Sequence, residues 1–532
     1  MGRQATILLN KRSFFYQASI LAASNMVLLL LGFAYRVLLG RFAGPEGMGV
    51  YTLVMQVYAI VMSVCVSGIC VAVTHVTARL YALGDLKGIR KLIRFAVLCF
   101  LGLLGAFSLP ILLLRNEIAA VILGDPRTAN ALWMILVCIL LTGIENIFKA
   151  MFHGTRQVRF SAISEVGEQL LRIALAWMLL TRYLNGDHGY TAFLILLGMT
   201  LSEVYSVLFL GISYGAKFLR GQKTAAASTH DIRRRFLKIA VPSAFTSVLA
   251  NMFSAISVII FPLRLALAGY TRVEAVSALG LISGMVLPIM MLPSAFVGAL
   301  CTLLMPSIAG SIARNDSRDL ARKVEKGIEA ASLLGIPPTA MLLPFIPLMC
   351  GLLYGQTVPP FLAMALFIQT ISTYYLILTA SILNGLGKQK KVLLLAATGE
   401  IIQFALVWVL TAIPALHVYG YILGMICGNV VRISAGFVFI HRETHTPPHF
   451  INAGIIPVGC ALILYACAQL FFLSASGQGV AVIPALLVSL LLCICVYIAL
   501  LHLLRVRLWP YMQRVVLHND PVRAKPMAQA KG

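Results

Sequence analysis

Charge is scarce in this chain, and negative charge is scarcer still. Only 11% of the 532 residues are charged, with 18 Asp or Glu against 42 Lys or Arg. A soluble globular protein is about 25% charged and about 45–50% apolar. Here 60% of residues are hydrophobic and the mean hydropathy is +0.92. Long polar stretches are missing too. The longest, residues 216–238, is too short to fold alone, so no soluble domain fits between the apolar runs.

Several chemistries are absent. The nearest approach to a phosphate-binding loop, Gly385-Leu386-Gly387-Lys388, continues with Gln389 instead of Ser or Thr and lacks the upstream glycine. That excludes direct drive by ATP. There is no His-Glu-x-x-His helix and no Gly-x-Ser-x-Gly elbow, so the expectation is a protein that is not an enzyme. The eleven cysteines include no Cys-x-x-Cys pair and all fall in apolar runs, which reads as packing and not as disulfides or metal ligands. His441, His445 and His449 recur every four residues, but Pro447 and Pro448 break the helix that would align them. No metal and no cofactor are expected. A short apolar core followed by a small-residue cleavage pattern is also lacking, which argues against a cleaved signal peptide.

What remains is membrane. A hydrocarbon core of about 30 Å asks for about 20 apolar residues per helix. The runs predict spans at 17–39, 48–73, 95–114, 131–152, 161–180 and 190–214, then 239–266, 276–308, 327–349, 360–383, 392–413 and 418–439, and finally 454–473 and 480–502. The expected fold is an all-α polytopic membrane protein of about 14 transmembrane helices, in two six-helix lobes plus two C-terminal helices. The lobes would be residues 1–215 and 239–440, joined by a cytoplasmic basic linker at 216–238. Residues 441–503 would hold the two additional helices and 504–532 a basic cytoplasmic tail.

Placing the N-terminus in the cytoplasm tests that count. Only Arg41, Arg115, Arg127, Arg182 and Arg272 then fall on the outer side, and Arg36, Arg172, Arg264 and Arg432 lie within spans. The rest of the 42 basic residues fall inside, counting Lys149 at the cytoplasmic end of its span, as the positive-inside rule requires, and a missed helix would invert the alternation. Both termini are therefore expected in the cytoplasm, in a multi-pass protein of the cell membrane. The +24 net charge is topological and implies no nucleic-acid partner. Each half opens with a helix carrying an arginine toward its outer end, Arg36 and Arg264, followed by a long helix ending at Arg79 or Arg314. This weak internal similarity fits a parallel duplication, a common transporter plan.

Charges within spans cost roughly 2.5–3.5 kcal/mol each at a helix centre on insertion scales. Glu145 and Lys149, and Glu168 and Arg172, sit four apart and face each other on a helix. Lys149 and Glu165 lie close enough to the cytoplasmic ends to reach water. Glu145, Glu203 and Glu400 admit two readings: structural pairing, or a polar cavity that binds a coupling proton or sodium ion. Arg36 and Arg264 divide likewise between snorkelling to outer headgroups and holding a phosphate bidentately in a central cleft. Gly420, Gly424 and Gly428 allow close helix approach, and Pro110, Pro242, Pro262, Pro288, Pro293 and Pro306 mark kinks.

The stretch Gly32-Phe-Ala-Tyr-Arg36-Val-Leu-Leu-Gly-Arg41-Phe-Ala-Gly44-Pro-Glu-Gly47-Met-Gly49-Val-Tyr51 resembles the first helix and loop of the stage V sporulation protein B and polysaccharide-biosynthesis flippases. These form part of the multidrug/oligosaccharidyl-lipid/polysaccharide flippase superfamily. Two more stretches carry the resemblance: Leu292-Pro293-Ser-Ala-Phe leading to Leu304-Met-Pro306-Ser-Ile-Ala-Gly310, and Ile382-Leu-Asn-Gly385-Leu-Gly-Lys388-Gln-Lys-Lys391. The resemblance implies a two-lobed bundle that flips an undecaprenyl-diphosphate-linked sugar, such as a peptidoglycan precursor for sporulation or envelope growth. Its cationic cavity maps here onto Arg36 and Arg264, with Arg41 at the rim. The further cavity arginines of the peptidoglycan-precursor branch have no counterpart before Arg79 in the second span. The implied partners are a lipid-linked glycan and membrane lipids. The alternative within the superfamily is a drug/cation antiporter, which would favour an acidic cavity.

Overall fold

A computed structural model describes residues 2–184, 186–219, 228–444 and 451–504. The expected linker lies partly outside this set, and His445, His449 and the tail beyond residue 504 lie wholly outside it. All regular structure among the described residues is helical. Fifteen helices matter here: α1 (Gly2–Met62), α2 (Gly68–Ala82), α3 (Leu86–Leu113), α4 (Ala129–Gly154), α5 (Val158–Tyr183), α6 (His188–Tyr214), α7 (Thr229–Leu267), α8 (Arg272–Leu279), α9 (Ser294–Ala313), α10 (Ser317–Leu342), α11 (Pro360–Gly385), α12 (Gln389–Leu410), α13 (His417–Thr444), α14 (Ile456–Gly477) and α15 (Val482–Leu503).

Thirteen described segments are long and apolar enough to cross a bilayer. They accord with about fourteen spans once three local features are read. The segment Ser24–Ala82 holds two spans, because Gly44 adopts φ 65°, ψ −179° and Pro45 follows it. Glycine tolerates the positive φ and proline removes a donor, so one helix ends there and the next begins. The span in α5 is too charged to register by composition, carrying Glu165, Glu168 and Arg172. The single long span expected over 276–308 is two pieces, Arg272–Met290 and Ser294–Ala313. Pro288 lies in the first and Pro293 caps the second, and neither can donate a backbone hydrogen bond.

The chain divides into two compact units. The first comprises Met1–Ile289, Cys350–Gln356 and Glu400–Gly424; the second comprises Met290–Met349, Thr357–Gly399 and the chain from Met425. In the first unit α6 packs against α4 and α5, and α5 packs against α1. Small residues allow close contacts: Gly198 of α6 lies against the Ala176 backbone of α5, and Gly143 of α4 receives the Phe100 ring of α3. By contrast α3 is largely exposed, as a lipid-facing helix should be.

The second unit is built on a core of Leu304, Ile308, Tyr374, Leu378 and Ile382 from α9 and α11. Tyr374 fixes it by donating its hydroxyl to the Met290 carbonyl at 3.0 Å. The last two helices join through Leu464, Ala468 and Cys493 around Phe345. Tyr497 of α15 donates to the Leu333 carbonyl of α10 at 2.6 Å.

Candidate functional site

Six charged side chains of the first unit meet between α4, α5 and α6. Lys149 Nζ lies 2.6 Å from Glu145, 3.3 Å from Glu165 and 3.8 Å from Glu168. Arg172 pairs with Glu168 and reaches Glu203 at 3.7 Å. The result is a ladder of alternating sign, running from Glu203 through Arg172, Glu168 and Lys149 to Glu145 and Glu165. The within-helix pairs follow from the spacing of four; the cross-helix rungs come from packing α6 on α4 and α5.

Hydroxyls and one thiol complete the network. Ser206 donates to Glu145 at 2.6 Å and also bonds Ser164. Arg172 Nε donates to Ser202 at 3.2 Å, and the Cys138 thiol approaches Glu203 at 3.5 Å. Glu145 and Glu203 are each only 1% exposed. Removing such charges from water costs several kcal/mol per ion, repaid only where partners and hydrogen bonds are this complete. Four carboxyls nevertheless share two cations. The ladder therefore carries excess acid, and Glu145 and Glu168 stand within hydrogen-bond reach of each other.

The predicted site residues separate in the structure. Glu145 and Glu203 belong to the ladder. Glu400 lies half-buried on α12, within electrostatic reach of the buried Tyr421. Arg264 donates Nε to the Trp408 carbonyl at 2.7 Å and stacks its guanidinium 4.3 Å from the Trp408 ring. Arg36 and Arg41 are exposed and make no hydrogen bond or ion pair with another described residue. Within electrostatic reach of Arg36 are Tyr35 and Tyr354, whose buried hydroxyls have no hydrogen-bond partner among the described residues. Tyr354 packs against Gly40, one turn beyond Arg36, where an added Cβ would lie 2.6 Å from the ring.

Sequence reasoning passed over two groups. At the far end of the first unit Arg127 binds both Glu46 and Asp125, and His188 Nε2 lies 3.1 Å from Glu46. This clasp ties the stretch just after the Gly44 break in α1 to the turn at 125–127 and the start of α6. The outer placement of Arg127 was its only sequence signal. In the second unit Arg432 donates to Asn429 at 2.6 Å, and Asn429 donates to Ser372 at 2.8 Å. Gln369 Nε2 donates to Thr373 at 3.3 Å nearby. The stem of Arg432 fills the space a side chain at Gly399 would need. A lone arginine in an apolar run was the available signal there.

Residues 21–178 match the family described as MatE. Stage V sporulation protein B of Bacillus subtilis (strain 168) is 24% identical over 431 residues, covering 79% of this chain and 82% of that protein. Lipid II flippase MurJ of the same organism is 21% identical over 454 residues, covering 80% of this chain and 82% of that one. Among solved structures, the inward-facing conformation of a multidrug resistance MATE family transporter of the MOP superfamily aligns with a TM-score of 0.64 at 15% identity. It spans 79% of this chain and 94% of that one, a likeness of fold.

Proposed function

We propose, for a chain that belongs to the stage V sporulation protein B family of the MATE-like multidrug/oligosaccharidyl-lipid/polysaccharide flippase superfamily, that the cargo is an undecaprenyl-diphosphate-linked sugar. It is a multi-pass membrane transporter, and similarity to flippases supports a lipid partner. The cargo reading extends to a peptidoglycan precursor or a related polysaccharide unit, moved from inner to outer leaflet with both termini cytoplasmic.

One observation carries the proposal. Among the four arginines expected within spans, Arg172, Arg264 and Arg432 each have a bonded partner, whereas Arg36 is exposed and has none among the described residues. A guanidinium kept free in an apolar run suits a diphosphate, which it meets with two parallel charge-assisted bonds. Arg41 extends the positive charge along the same segment. Arg264 contributes less, because its guanidinium is already engaged by Trp408.

No nucleotide motif exists, so direction comes from an ion gradient, the membrane potential or consumption of the product. The acid-rich ladder, with Glu145 and Glu203 at its buried positions, supplies a group whose charge responds to protons or sodium. Glu400 is the corresponding candidate on α12. The same excess acid favours the drug/cation antiporter as a second reading.

Proteoliposomes separate the two. Wild-type protein is expected to flip a fluorescent undecaprenyl-diphosphate sugar while leaving a neutral glycolipid and a cationic dye in place. Dye uptake driven by an ion gradient, without lipid flipping, would replace the flippase reading with the antiporter.

A further inference from the structure

Where α4 and α6 end and α5 begins, aromatic rings of the first unit form a continuous row. Phe148 of α4 lies 5.4 Å from Tyr214, which stacks on Phe218 at 5.9 Å. Phe218 meets Phe152 edge-on at 6.3 Å, and Phe152 stacks on Phe160 of α5 at 5.1 Å. A second pair, Phe95 and Phe236 at 5.3 Å, joins the starts of α3 and α7. Aromatic rings gathered at the ends of spans make the belt that meets lipid headgroups.

Cations sit on these rings instead of on carboxylates. Lys217 Nζ lies 4.2 Å from the Phe160 centroid and the Arg159 guanidinium 5.0 Å from it, each within electrostatic reach of the other. Lys217 also donates to Gln157 Oε1 at 2.8 Å, which fixes its place. Arg94 reaches Tyr214, and Arg233 lies 5.1 Å from the Phe95 ring. The acids of α5 and α6 are engaged in the ladder, Asp231 of α7 pairs with Arg235, and α3 contains no acid. Among the described residues Arg94, Arg159 and Lys217 therefore pair with no carboxylate. Two like charges on one ring repel, and an anion seated between them offsets that repulsion.

One turn along each helix the surface becomes apolar. Exposed Arg94 is followed four residues on by Leu98, Arg159 by Ile163 and Arg233 by Leu237, all exposed and on the same helix face as their cation. Ile212, 71% exposed, lies just before the π-helical turn Gly215–Leu219 that carries Lys217. A soluble anion would leave these stripes uncovered. A phospholipid covers them with its acyl chains while its phosphate meets the cations. We propose that this rim binds an anionic glycerophospholipid of the surrounding leaflet. The phosphate sits between Lys217 and Arg159 beside the Phe160 ring, and the acyl chains lie on Ile163 and Ile212. The surface lies outside the ladder and away from Arg36, and it requires no particular cargo.

The test is native mass spectrometry of the full chain in detergent, titrated with phosphatidylglycerol or with phosphatidylcholine of the same acyl chains. Wild type is expected to bind phosphatidylglycerol about tenfold more tightly than phosphatidylcholine, the effect of two basic groups on one phosphate. Arg159→Gln with Lys217→Gln should bring the two affinities within about threefold of each other. Arg159→Lys with Lys217→Arg should keep the preference, which separates loss of charge from loss of folding. Arg318→Gln with Arg322→Gln removes two exposed arginines of α10 and should leave the preference unchanged. No preference in wild type, a preference that survives Arg159→Gln with Lys217→Gln, or an equal loss in the α10 variant would overturn the proposal. So would displacement of phosphatidylglycerol by inorganic phosphate, which marks a soluble-anion site, or by undecaprenyl-diphosphate sugar, which marks a cargo site. A failure to flip that sugar, with these affinities as expected, would move the cargo and leave the lipid surface standing.

Discussion

Both units bury polar side chains in apolar surroundings, and they do so by different chemistry. The first unit assembles six ionisable groups, four acids and two bases, into a ladder across α4, α5 and α6. The second links amides and hydroxyls of α11 and α13 to the guanidinium of Arg432. Amides and hydroxyls are neutral hydrogen-bonding groups, whereas the ladder sets four carboxyls against two cations. Under the proposed function, ion response falls to the first unit and a fixed polar scaffold to the second.

The largest effect expected is on stability. Arg172→Gln strands Glu168 and Glu203, and breaking a buried pair costs about 3–5 kcal/mol. Thermal unfolding in detergent should show the loss, and adding Glu168→Gln should recover much of it. Arg432→Gln should cost less, about 1.5–3 kcal/mol for hydrogen bonds to a charged group. A larger loss at Arg432 than at Arg172 would break the comparison. Glu203→Gln sharpens it: folding should survive, while acceleration of flipping by an imposed proton or sodium gradient should fall about tenfold, equivalent to ~1.4 kcal/mol. Gradient dependence that disappears in Asn429→Ala and persists in Glu203→Gln would reverse the assignment. Ser206→Ala is the mildest, at about 1.5 kcal/mol for its lost hydrogen bonds to Glu145 and Ser164.

Much of this architecture was legible in the sequence because bilayer thickness sets helix length and Gly44-Pro45 punctuates two of the helices. The pairs Glu145 with Lys149 and Glu168 with Arg172 were legible for the same reason, being local along one helix. The rungs that join them were not. Contacts such as Lys149 to Glu165 and Arg172 to Glu203 depend on which faces of α4, α5 and α6 meet, and hydropathy does not encode this when nearly every position is apolar. The two arginines that looked equivalent by spacing differ for a tertiary reason. Trp408, far along the chain, takes up Arg264, while among the described residues Arg36 has tyrosines within electrostatic reach and no bonded partner.

That difference between the two arginines is the sharpest point of contact between structure and function. It is tested by initial flipping rates of a fluorescent undecaprenyl-diphosphate sugar in proteoliposomes containing wild type, Arg36→Ala or Arg264→Ala, each verified as folded. The account predicts that Arg36→Ala lowers the rate by about ten- to a hundredfold, as expected for losing hydrogen bonds to a charged group, with Arg264→Ala within about threefold of wild type. Equal rates in wild type and Arg36→Ala, or a larger loss at Arg264, would contradict it.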